Sequence, residues 1–217
     1  MEKKGDLIRL LDLDSDFIIE LKYATPDNFT GRIIYESGEC YINKNTAKLL
    51  IEAKNIFKSD GYSVKIWDAY RPIRAQKKFF AVLPDPDFVA IPPDMHTLKN
   101  FRATHLNGLC VDLTLVDKNG NELEMPSGFD DFTEKASLSC PDISENGRKN
   151  ALYLKKIMEE VGGTFMIKKH PLHPFWIIPY KRGFIMNRLT FLKAVSAASQ
   201  QARLLTSVSI SAKIQFL

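Results

Sequence analysis

The most informative stretch of this chain lies between residues 104 and 116. It reads Thr104-His105-Leu106-Asn107-Gly108-Leu109-Cys110-Val111-Asp112-Leu113-Thr114-Leu115-Val116. Residues 109–116 form a short apolar run that predicts a β-strand, and Gly108 predicts a tight bend before it. Asp112 stands within this strand between two apolar neighbours. A carboxylate in such a place is half-buried, and buried carboxylates are usually paired, hydrogen-bonded or bound to a metal ion.

The bend brings His105 and Asp112 towards one point, which leaves two interpretations open. An imidazole and a carboxylate that converge can bind a borderline metal ion such as Zn²⁺. Alternatively, His105 is a structural residue whose ring nitrogens form hydrogen bonds within the core. The spacing of the two residues does not choose between these interpretations.

In the rest of the chain, strand and helix patterns follow one another without regular alternation. We predict strands at residues 17–23, 64–68 and 109–116, and helices at 43–59, 72–83 and 146–161, the last with an apolar stripe of Leu152, Leu154, Ile157 and Met158. This order favours an α+β fold, a small antiparallel sheet flanked by helices, over a doubly wound parallel sheet.

The charge of the chain is unevenly distributed. The net charge is only +4, but all 26 acidic residues precede residue 161, so residues 161–217 carry Lys and Arg without a single Asp or Glu. The basic residues of this segment are spread thinly, which argues against a nucleic-acid-binding arm. No apolar run is long enough to span a membrane. The three separated cysteines and the charged N-terminus predict a cytoplasmic protein without disulfides.

A second candidate for chemistry is Arg71, which follows the apolar strand 64–68 in the sequence Asp68-Ala69-Tyr70-Arg71-Pro72. Two interpretations are again open. Arg71 forms an ion pair with Asp68, or its guanidinium donates to a substrate carboxylate or a developing oxyanion.

These motifs resemble those of the zinc D-alanyl-D-alanine dipeptidases of the vancomycin-resistance type, within the D-Ala-D-Ala metallopeptidases. The resemblance covers about residues 7–162. It includes the segments 21–31 (Leu-Lys-Tyr-Ala-Thr-Pro-Asp-Asn-Phe-Thr-Gly), 68–72, 105–115, 125–130 (Met-Pro-Ser-Gly-Phe-Asp) and 146–150 (Asn-Gly-Arg-Lys-Asn). We therefore expect residues 1–162 to form a metallopeptidase-like domain and residues 163–217 a divergent basic C-terminal segment.

The resemblance implies a chemistry for this domain. It implies one Zn²⁺ ion held by His105, Asp112 and a second histidine, with Arg71 as the donor to the oxyanion. It further implies Tyr23 and Asp68 as substrate-binding residues, and free D-Ala-D-Ala as a small dipeptide substrate. The oligomeric state is left open, a homo-oligomer included.

The family's C-terminal Glu-Trp-Trp-His motif, which supplies the general base and the third zinc ligand, does not occur in this chain. The sequence Lys169-His170-Pro171-Leu172-His173 stands in its region, so we assign His173 as the third ligand and His170 as the proton acceptor. An exposed turn is the alternative for both histidines. Three explanations follow: an active dipeptidase with a rebuilt base, a degenerate relative that binds peptide or metal without turnover, or an altered reading frame after about residue 162.

Overall fold

A computed structural model describes residues 6–86, 88–93, 105–167 and 174–177 of the chain. The strands are β1 (Leu7–Arg9), β2 (Ile18–Ile19), β3 (Tyr41–Asn43), β4 (Tyr62–Asp68), β5 (Cys110–Asp117), β6 (Thr164–Ile167) and β7 (Pro174–Ile177); the helices are α1 (Leu10–Leu13), α2 (Lys44–Ser59), α3 (Ile73–Val82) and α4 (Glu145–Glu160). Within these residues, no helix has the length and apolar character needed to cross a membrane.

The main sheet has five strands in the order β2-β4-β5-β7-β6, and β1 pairs with β3 in a separate two-stranded sheet. The pairs β4–β5, β5–β7 and β6–β7 are antiparallel. The short edge pair β2–β4 is parallel. The predicted α+β fold is confirmed, but its main sheet is mixed rather than wholly antiparallel. β6 and β7 follow the predicted domain boundary at residue 162, which stays a prediction.

Strand and helix lengths follow the local chemistry. Asn43 begins α2, because its side-chain oxygen accepts a hydrogen bond from the backbone N–H of Asn45 at 3.0 Å. Ser144 begins α4 in the same way through Gly147, at 2.9 Å. The predicted strand 17–23 is too long. It ends after Ile19, and residues 22–24 form a 3₁₀ turn.

The core lies between one face of the main sheet and the helices α2 and α4. Alternate residues of β5, from Val111 through Leu113 to Leu115, belong to this core together with buried side chains of both helices. Each large apolar side chain buried in this way contributes about 1.5–3 kcal/mol. The predicted stripe of α4 is wrong at Leu152, which is 49% exposed, because residues 152 and 154 cannot face the same side of a helix. The opposite face of β5 carries Asp112 and Thr114.

Candidate active site

Three side chains that can bind a metal ion converge at the end of β4 and the start of β5. Asp68, His105 and Asp112 each offer one oxygen or nitrogen atom, and these atoms lie within 4.8 Å of one another. His105 lies in a 3₁₀ turn, residues 105–107, which Gly108 and Leu109 connect to β5. Among the described residues, this is where groups suited to holding a metal ion come together.

Gly108 makes the bend between His105 and β5 possible. Its φ of +67° lies in the left-handed region, and a Cβ atom there would come within 2.7 Å of the backbone nitrogen of Asn43. The carbonyl of Gly108 instead accepts a hydrogen bond from that nitrogen at 3.0 Å. The bend therefore packs Gly108 against the start of α2.

The ring of His105 is buried and held from both sides. Its Nδ1 lies 2.8 Å from the carbonyl oxygen of Ala69, which can only accept, so Nδ1 carries the proton in the neutral ring. Nε2 then carries the lone pair and lies 3.4 Å from Oδ1 of Asp112. Burial opposes a positive charge on the ring, but the carboxylates of Asp112 and Asp68 outweigh it and raise the pKa of His105.

Asp68 reaches this site because β4 is irregular at its end. Ile66 pairs with Leu113 on the core face. The strands are antiparallel, so in a regular ladder Trp67 would pair with Asp112, but Asp68 pairs with Asp112 instead. One extra residue in β4 therefore forms a bulge and moves Asp68 to the face of Asp112. The regular alternation of Val64, Ile66 and Asp68 in the sequence would have placed this carboxylate in the core.

Asp68 is fully buried, and both of its oxygens accept hydrogen bonds. Oδ1 accepts from the hydroxyl of Tyr35 at 2.6 Å and from the backbone N–H of Ala69 at 2.9 Å. Oδ2 accepts from Nε and Nη2 of Arg71 at 3.1 and 2.6 Å. The carboxylate of Asp68 is thus hydrogen-bonded to both Arg71 and Tyr35. The ion pair between Arg71 and Asp68, one of the two interpretations of Arg71 from the sequence, is present.

Arg71 is held in a fixed orientation. Its Cζ lies 5.3 Å from the ring centroid of Tyr23 and 4.8 Å from that of Phe79. Burial disfavours its charge, but Asp68 and its neighbours outweigh burial and raise the pKa of Arg71 well above its ordinary value. Three of its five N–H groups donate to Asp68 and to Oε1 of Gln76. Tyr35 is a further hydrogen-bond partner of the guanidinium, so among the described residues one of its five N–H groups stays available to a ligand.

A further carboxylate, Asp130, lies beside Tyr23. The hydroxyl of Tyr23 donates to Oδ1 of Asp130 at 3.0 Å, and the backbone N–H of Phe29 donates to Oδ2 at 3.0 Å. Burial raises the pKa of Asp130 from 3.8 to about 6, against these hydrogen bonds, and the charges of Asp112 and Arg71 also act on it. Asp130 therefore interacts electrostatically with Asp112 and Arg71 of the site.

The structure brings together five of the residues that the sequence selected: Tyr23, Asp68, Arg71, His105 and Asp112. His170 and His173 lie outside the described residues, so their assignments stay predictions. Sequence reasoning missed three contributors to the site: Tyr35, Gln76 and Asp130. Asp130 ends the segment 125–130, Met-Pro-Ser-Gly-Phe-Asp. The available signal was an acid that follows an aromatic residue in a segment shared with the resembled family.

The chain is similar to known peptidases over most of its length. A family model described as D-ala-D-ala dipeptidase matches residues 3–169. A D-alanyl-D-alanine dipeptidase of Escherichia coli (strain K12) is 36% identical over 166 residues, which cover 76% of this chain and 81% of that protein. A D-alanyl-D-alanine dipeptidase of Enterococcus faecium is 32% identical over 157 residues, covering 66% of this chain and 78% of the relative.

Proposed function

Because the chain belongs to the D-ala-D-ala dipeptidase family, we propose that it is a zinc-dependent peptidase that hydrolyses the free dipeptide D-Ala-D-Ala. The observation that carries this proposal is the convergence of His105 and Asp112 beside an immobilised Arg71. Relatives that are named as D-alanyl-D-alanine dipeptidases support the choice of substrate. Nothing in the comparisons favours the alternative of a relative without turnover.

The donor set fits a zinc ion. Nε2 of His105 and Oδ1 of Asp112 are the nitrogen and oxygen ligands that zinc accepts, and the bond from Nδ1 of His105 to the Ala69 carbonyl is a typical outer-shell contact of a zinc-bound histidine. His173 stays the predicted third ligand. When bound, the ion would polarise the scissile carbonyl and lower the pKa of a water molecule.

The other residues of the site would bind and orient the substrate. Asp130 offers a carboxylate to the ammonium group of the dipeptide, next to the hydroxyl of Tyr23. Arg71 would donate an N–H group to the oxygen that becomes negative during hydrolysis, and one such donor is worth about 3–4 kcal/mol. Asp68 would act on the substrate through Arg71, which it holds. His170 stays the predicted acceptor of the water's proton.

Zinc content and turnover test this proposal together. We expect the purified chain to bind about one zinc ion, as in catalytic sites with three protein ligands and an open position, and to release D-alanine from D-Ala-D-Ala. His105→Ala and Asp112→Asn should lose both properties. Asp142→Asn, an exposed carboxylate, is the matched control and should keep both. Absence of D-alanine release by the unaltered chain at saturating zinc would refute the dipeptidase assignment.

We also propose a cytoplasmic location, supported by three buried cysteines that form no disulfide.

The assignment of residues 163–217 as a divergent segment is tested separately. Translation of the coding DNA around residues 160–185 in all three frames should reveal a Glu-x-x-His sequence if the reading frame was altered. Its absence from all frames would remove that explanation.

A further inference from the structure

Gln76 is a buried amide on α3, and no step of the proposed reaction has used it so far. It is 4% exposed and lies between the buried residues Ala75 and Phe79 on the inner face of the helix. A polar group in such a position is costly unless hydrogen bonds satisfy it. Its Oε1 accepts from Nη1 of Arg71 at 2.9 Å, and its Nε2 donates to the carbonyl oxygen of Ala90 at 2.6 Å.

The two partners of Gln76 explain why an amide stands here. A guanidinium can only donate and a carbonyl oxygen can only accept, so the residue between them must offer one acceptor and one donor. A carboxylate would face the Ala90 carbonyl with a second acceptor, and an aliphatic side chain would serve neither partner. The partners also fix which end of the amide is oxygen.

The charge of the amide matters as much as its hydrogen bonds. Asp68 already places one negative charge against Arg71, through Nε and Nη2. A second carboxylate on Nη1 would further weaken the positive field available to a developing oxyanion. A neutral amide holds the group without that loss.

We propose that Gln76 is a positioning residue that fixes the guanidinium plane of Arg71 for the oxyanion of the substrate, an inference that rests on the proposed peptidase function. Asp68 holds one edge of the guanidinium, and the rings of Tyr23 and Phe79 lie near it. Gln76 holds the remaining nitrogen and connects it to the backbone at Ala90. The N–H group that stays available to the substrate therefore has a fixed direction.

Kinetics of three single variants test this role. Gln76→Leu removes both hydrogen bonds at similar volume, and we expect kcat to fall about 10- to 100-fold with KM nearly unchanged, because a misplaced donor affects the transition state. Gln76→Glu keeps an acceptor for Arg71 but adds a charge, and kcat should fall at least as far. Lys77→Leu, at the next and exposed position of α3, should match the unaltered protein.

A double-mutant cycle separates positioning from a merely structural effect. In an Arg71→Ala background, Gln76→Leu should cause no further loss of kcat, since the group that it orients is gone. A further loss equal to that in the unaltered background would show that Gln76 acts through the fold alone and would overturn the inference.

A spectroscopic measurement needs neither zinc nor substrate. In ¹⁵N-labelled full-length protein, the Arg71 guanidinium, assigned by its disappearance in Arg71→Lys, should show restrained rotation about Cζ–Nη1. Gln76→Leu should release this rotation. The signal of the Nε–H group should stay unchanged, because that group donates to Asp68. Unchanged rotation in Gln76→Leu overturns the inference, and so does released rotation with unaltered kcat. If the unaltered chain hydrolyses no dipeptide, the dipeptidase proposal fails by itself, and the rotation alone decides whether Gln76 holds Arg71.

Discussion

Replacing Asp130 by Asn tests the electrostatic cost of placing a carboxylate next to Tyr23. Asp130 is the described non-glycine residue with a positive φ, 55°, and Asn adopts this conformation as readily as Asp does. The substitution therefore removes a charge with little change to the backbone. Its effect on the free energy of unfolding should depend on pH.

The size and sign of this dependence follow from the pKa of Asp130, which burial raises from 3.8 to about 6. Between these two values the folded protein keeps the proton that the unfolded chain has lost, so stability falls as pH rises and levels off above pH 6. A shift of this size corresponds to about 3 kcal/mol, and solvent screening at a partly buried side chain reduces it to about 2–3 kcal/mol. The Asn variant lacks this contribution.

Urea unfolding of both proteins from pH 4 to pH 8, in the presence of a chelator, measures the difference. We expect the unaltered protein to lose about 2–3 kcal/mol relative to Asp130→Asn between pH 4 and pH 7. Asp142→Asn serves as the control for removing one exposed carboxylate. A difference that stays constant within about 0.5 kcal/mol, or that grows with pH in favour of the unaltered protein, would refute the burial argument.

Three other substitutions test separate parts of the structure. Gly108→Ala places a Cβ 2.7 Å from the nitrogen of Asn43 at a positive φ, so urea unfolding should show a loss of about 2–4 kcal/mol, and a neutral effect would contradict the close approach. Lys54→Met removes the buried ammonium that lies 2.6 Å from Asp14; we expect a loss of about 1–3 kcal/mol in the same assay, while an unchanged midpoint would show that the pair is dispensable. Arg71→Lys keeps the charge but loses the planar fork, so kcat for D-Ala-D-Ala should fall about 10²–10³-fold, and a fall below about tenfold would argue against an oxyanion role.

The sequence predicted those parts of the fold that depend on neighbouring residues. The helix predicted at residues 43–59 and the strand predicted at residues 109–116 follow from capping and hydrophobic patterns, which act within a few residues. The convergence of His105 and Asp112 followed from the bend at Gly108. These interactions involve residues that are close in the sequence, so they can be predicted from a single sequence.

Contacts between distant segments were not predictable in this way. The hydroxyl of Tyr23 reaches Asp130 across 107 residues, and the carbonyl of Ala90 meets Gln76 only because a loop returns to α3. The observed strand β2 is shorter than the strand predicted at residues 17–23 for a related reason. Its end turns so that Tyr23 can pack on Phe79, with ring centroids 4.3 Å apart, and tertiary packing overrides the local strand pattern there.

The extra residue near the end of β4 has a consequence for how variable this site can be. A regular strand presents every second residue to one face, about 7 Å apart, whereas the bulge lets consecutive residues act there: Trp67 packs on Phe129, and Asp68 holds Arg71. The strand end thus gains the dense placement of side chains that loops provide. It keeps the ladder to β5 on either side of the irregularity, so exchange of a single residue at this point can reshape the site while the sheet stays rigid.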